Sequence, residues 1–279
     1  MLLPYPDNFQ DLNQVAQFII VISLLELVVT YIIVNILPSN VEDKIYLNSC
    51  IIALPKVAVM LYFAGSVILE SFSGDMEEQI YHIRDGKPLS YFNMGVFFCL
   101  YISHSSCAMF VEIYKDGFGK GTVTMLLHHV ISIAAYVICM YTGRFGYLSC
   151  LAALCEFTNF PLSVVYITKT KGGGVKEWME NTFGVLLSVN GGMLWLSFIP
   201  CRLILFPYVN YKFITLCMEL KTTDPTRWSQ IWWVEMIGHF TTVSLLFLMS
   251  LFWFYKIHSG FMKILNGMKA SDAAPEKAE

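Results

Sequence analysis

Two imidazoles stand side by side, His128 and His129, in the run MLLHHVISIAAYVICMY at 125–141, which is otherwise almost wholly apolar. An imidazole titrates near neutral pH and serves as base, acyl acceptor or hydrogen-bond partner. Neighbours on a helix point about 100° apart, so at most one of the pair faces a given cavity. Other polar groups share such surroundings. His104 lies among Ser103, Ser105 and Ser106, and Glu156 is followed one turn later by Asn159 on the same face. Glu235 and His239 stack at i, i+4, and Glu26, Lys56 and Arg202 complete the set. Plainer roles stand beside the chemical ones. Lys56 with Glu26 or Glu156 makes a structural ion pair, Glu235 with His239 one hydrogen-bonded pair within a helix, and His104 a packed donor. Zinc wants three or four ligands, and His104, His128 and Glu156 lack the i, i+4 histidine spacing of an HExxH helix. No metal site and no cofactor are expected.

The elements that must position these groups are membrane helices. The chain has 279 residues, of which 56% are hydrophobic and 14% charged, with a mean hydropathy of +0.57. Soluble domains carry about 25% charged residues. A bilayer core needs about 20 apolar residues of helix, and seven runs qualify: 14–37, 45–69, 91–114, 122–141, 145–168, 181–206 and 229–257. The stretch 207–220 extends the sixth beyond an expected kink at Pro207. Helix rise puts Glu26, Lys56 and Glu156 near mid-membrane, His104 and His128 about a third of the way in, and Arg202 at the outer headgroups, where it snorkels. Ionisable groups at such depths are expensive, so each is a functional candidate.

A net charge of −3 excludes an electrostatic nucleic-acid binder. The eight cysteines form no CxxC pair and read as small buried hydrophobes. The start, MLLPYPDNFQDLNQ, lacks the basic segment of a signal peptide. With the N-terminus outside, inside loops and tail hold ten Lys and outside loops six Lys and Arg, among them Arg144 in the turn TGRF. That bias puts the C-terminus in the cytosol. The acidic loop ESFSGDMEEQIYHIRDGKP at 70–88 reads as solvated surface.

Five segments follow one another along the chain: LHH at 127–129, GRFGYL at 143–148, CEFTNFPLSVVYI at 155–167, CRLILFPY at 201–208 and FWFYKIHSGFMK at 252–263. Their order resembles the TLC-domain family of translocating-chain-associated membrane proteins, ceramide synthases and a ceroid-lipofuscinosis protein. The resemblance implies an all-α bundle with six core helices over 48–265 around a lipid-accepting cavity. Residues 1–47 supply an extra first helix, and 266–279 form a disordered cytosolic tail. It also implies handling of acyl chains or sphingoid bases in the endoplasmic reticulum, with the plasma membrane as the other location. In ceramide synthases the paired histidines belong to a signature that continues into a His-Asp pair. Here YLSCLAALCEF has no such pair, and Glu156 with Thr158, Phe160 and Pro161 is closer to the non-synthase branch.

Three functions follow as expectations. The first is a non-enzymatic protein that binds sphingolipids or phospholipids and tunes lipid composition or trafficking, with His104, His128, His129, Glu156 and Asn159 around the lipid. The second is an N-acyltransferase using acyl-CoA as substrate, with His128 or His129 as base. The third is a receptor for lumenal cargo using the loop at 70–88. A homodimer is compatible with each.

Overall fold

The computed structural model describes residues 12–37, 44–81, 83–84, 87–88, 91–169, 174–231 and 233–272. It is an all-α polytopic bundle whose helices are α1 (Leu12–Ile36), α2 (Lys44–Ser71), α3 (Met76–Tyr81), α4 (Tyr91–Asp116), α5 (Lys120–Thr142), α6 (Gly146–Thr168), α7 (Val175–Thr223), α8 (Pro225–Trp228) and α9 (Trp233–Asp272). A two-residue antiparallel ladder, Ile83–Arg84 with Lys87–Pro88, is the one sheet among the described residues. Seven of the helices are long and apolar enough to cross a membrane. Each corresponds to one of the seven apolar runs, because an uninterrupted helix is the way such a run satisfies its backbone without water. The first five boundaries agree closely, while the sixth helix starts at Val175 and runs on to Thr223 and the seventh starts at Trp233 and runs past 257.

The helices alternate in direction. Phe145 N–H donates to the Ile80 carbonyl at 2.8 Å and Arg227 pairs with Glu77, which gathers α3, the α5–α6 turn and the α7–α9 connection at one end. At the other end the rings of Tyr46 and Tyr166 meet edge-on at 5.7 Å. By the Lys/Arg count the first end is the outer one, and we call it the capped end. Leu69, Phe110, Val130, Leu186 and Leu248 point outward, where acyl chains cover them. The inward faces meet in an aromatic cluster of Phe97, Phe98, Tyr101 and Tyr136, with Tyr101 and Tyr136 ring centres 4.5 Å apart.

Two irregular turns set the direction of buried side chains. In α6, Ala153–Thr158 tightens into a 3-10 turn just before Pro161. Proline has no N–H and crowds the carbonyl four residues back, so the chain before it leaves the α-helical ladder. In α7 a wide π turn covers Ile199–Ile204. The expected kink at Pro207 is displaced: the helix runs through Pro207, and the ladder adjusts upstream, around Pro200 and the carbonyl that Pro207 cannot serve. α9 continues to Asp272, so residues 266–272 are helical, while 273–279 lie outside the described residues. So do the first eleven residues, and with them the signal-peptide question.

Candidate functional site

The 3-10 turn sets up the first polar cluster. Side chains three apart eclipse in such a turn, which brings the Asn159 amide onto Glu156 Oε2 and Thr158 Oγ1 onto the Cys155 carbonyl at 2.8 Å. Across from it the π turn directs Arg202 inward. Arg202 is only 4% exposed, donates from Nε to Thr158 Oγ1 at 2.9 Å, and lies over the rings of Phe198 (5.3 Å) and Trp253 (5.6 Å). Trp253 in turn meets His128 edge-on at 5.4 Å, and the His128 and His129 rings are 5.2 Å apart. Arg202 is close enough to act electrostatically on Glu156, His128 and His129. The Nδ1 atoms of both histidines are buried without a hydrogen-bond partner among the described residues.

Arg202 therefore does not snorkel to the headgroups. One residue more in the π turn rotates everything after it by about 100° relative to a regular helix, and a lipid-facing register becomes an inward one. Placing Arg202 by helix rise alone missed this.

A second cluster ties α1 to the core. Lys56 of α2 pairs with Glu26 of α1, one of the two partners expected for it, and Ser23 Oγ lies 3.1 Å from Ser103 Oγ of α4. His104, half-buried on α4, is near enough to both Lys56 and His129 for electrostatic interaction and so stands between this cluster and the first.

A third lies toward the capped end. Arg144 holds Glu235 through two hydrogen bonds, Nε to Oε2 at 2.8 Å and Nη2 to Oε1, and reaches the Gln230 carbonyl at 3.3 Å. Sequence reading counted Arg144 as a loop cation and gave Glu235 to His239. Glu235 goes to Arg144 because a guanidinium offers a carboxylate two parallel donors where an imidazole offers one. His239 instead stacks on Phe213 at 4.5 Å, and its Nε2 has no hydrogen-bond partner. Two small cavities flank it. One, of about 10 Å³, touches Arg144, Glu235 and His239; the other, of about 30 Å³, touches Ser132, Tyr136, Ser149 and His239. Neither borders the His128 cluster, where sequence reading expected a lipid cavity.

The acidic loop is folded. Asp75 Oδ1 caps α3 by accepting from Glu78 N–H at 3.0 Å, and Glu78, Gln79, Ile80 and Tyr81 are buried. Gly74 suits this turn, since a Cβ there would fall 2.8 Å from Glu78 Cβ. Arg227 bonds Glu77 at 2.7 Å and covers the Tyr81 ring at 5.3 Å. The bond to Glu77 raises the Arg227 pKa further, and burial raises that of the Tyr81 hydroxyl. Among the described residues no group of three or more His, Cys, Asp or Glu side chains is placed to hold a metal, and all eight cysteines are free.

Seven apolar helices enclosing buried charge define a multi-pass integral membrane protein. A model of the TLC domain matches residues 46–259, well over half of the chain, and the protein belongs to the TLC-domain family. The match leaves α1 outside. A search of curated proteins finds no match.

Proposed function

We propose that the protein binds the polar head of a membrane lipid at the cluster of His128, His129, Arg202, Glu156 and Asn159, and acts in membrane lipid homeostasis or trafficking without catalysing a reaction on the lipid. The observation that carries this reading is the pair of buried histidines with unpartnered Nδ1 atoms beside a buried guanidinium. Polar atoms removed from water are ordinarily satisfied, and an exception calls for a partner the chain itself does not supply. Two imidazoles and a guanidinium suit an anionic or hydroxylated head group, and Trp253 and Phe198 give apolar walls.

The same geometry weighs against acyl transfer. A histidine base is normally oriented through its second ring nitrogen by a carboxylate or carbonyl. Here neither Nδ1 is so held, and Glu156 is engaged by Asn159. The endoplasmic reticulum is the location we assign on the family resemblance. The test is cellular and enzymatic together. Cells lacking the protein should show an altered membrane lipid profile that wild type restores and His128→Leu with His129→Leu does not. Purified protein given sphingoid base and acyl-CoA should form no ceramide. Ceramide formation lost with His128→Ala would replace this reading with the acyltransferase one.

A further inference from the structure

His239 is the one histidine placed against both cavities. It is 8% exposed, and its Nε2 is buried with no hydrogen-bond partner among the described residues. Across the larger cavity Ser132 is 4% exposed, and its Oγ also lacks a partner, lying beside Tyr101 without the geometry of a hydrogen bond. Two residues with unpartnered polar atoms, on different helices, thus line one space of about 30 Å³. A water molecule needs about 10–15 Å³ measured as room for a water-sized sphere, together with two to four polar partners. The larger cavity has room for two waters, and its wall offers His239, Ser132, Ser149 and Thr242. The smaller, at about 10 Å³, is at the limit for one and continues to the Arg144–Glu235 pair.

We infer that these cavities are water-binding sites, and that together they form a hydrated seam between α5 and α9. It runs from the Arg144–Glu235 pair, through His239, to Ser132. Ser132 lies four residues after His128, on the same face of α5. The seam therefore brings water from the capped end to within one helical turn of the histidine cluster. Ala135, Val243 and Leu246 complete the same wall. The inference does not depend on what the histidine cluster holds.

Pulsed X-ray hydroxyl-radical labelling in phosphatidylcholine nanodiscs tests it, since radicals formed from bound water mark the side chains touching that water. Rates are normalised to those of the denatured protein. Tyr136 and His239 should be labelled several-fold faster than Tyr147 and Phe97, which are fully buried and line neither cavity. Equal rates would overturn the inference. His239→Leu should slow labelling of Tyr136 several-fold, and Ser132→Ala should do so to a smaller extent. Unchanged Tyr136 labelling in both would show that these atoms hold no water. The wild-type comparison stands even where a variant fails to fold.

Discussion

Two buried arginines, Arg144 and Arg202, show opposite ways of keeping a cation inside a membrane bundle. Arg144 is fully answered: a carboxylate takes two of its donors and a backbone carbonyl a third. Arg202 has one neutral hydroxyl, two aromatic faces and a carboxylate already bonded elsewhere. Around Arg144 every strong charge has a mate, which is the mark of a centre that holds helices together. Around Arg202 stand two imidazoles with free nitrogens, and no carboxylate among the described residues holds its guanidinium, which is the mark of a centre that waits for a ligand. Beside Arg144 the imidazole of His239 is also unpartnered, but the charge there is already matched. Charge alone does not separate structure from function in a bilayer; the state of its partners does.

Breaking the Arg144 centre should have the largest effect. Glu235→Ala strands a buried guanidinium and should destabilise by about 3–5 kcal/mol, read as lost thermal stability in detergent. Arg144→Met with Glu235→Leu should recover most of that loss. A double variant as unstable as the sum of the two singles would show that the two residues do not work as a pair.

Lys56 comes next. Lys56→Met leaves Glu26 near mid-membrane, where an unpaired charge costs about 2.5–3.5 kcal/mol, though both side chains keep slight exposure. Expression should fall, and adding Glu26→Leu should partly restore it. Simple additivity would remove the pairing as the reason for the docking of α1. The cap should matter least: Arg227→Ala breaks an exposed ion pair and should cost no more than about 1 kcal/mol. A large loss there would mean that the capped end folds as part of the core.

How much of the molecule is legible in its sequence depends on what each feature rests on. The seven helices could be read because apolar length suffices to define a span, and the pairing of Lys56 because a lone ammonium at that depth is intolerable. Arg144 was hidden by its setting. A basic residue in the four-residue turn TGRF looks like a solvated loop, and only the three-dimensional fold reveals that α3 and the α7–α9 connection cover it. The inward turn of Arg202 depends on a π turn, which shifts register without a sequence period to betray it. The cap was readable and was missed: Asp75 with Glu78 three residues later is a capping-box pattern opening α3. Glu156 and Asn159 were grouped rightly by spacing, while the contact that joins them to the histidines, Arg202, came from a helix that spacing cannot reach.

The two centres are told apart most directly by one preparation measured twice. Wild type and the His128→Leu, His129→Leu variant are purified in mild detergent, and each is assayed for thermal stability and for tightly held lipid by native mass spectrometry. The expected result is a variant that unfolds at or above the wild-type temperature, because two unsatisfied imidazoles are gone, and that has lost the bound lipid. A variant that keeps its lipid, or that loses stability as severely as Glu235→Ala, would contradict the assignment of the histidine cluster as the ligand site.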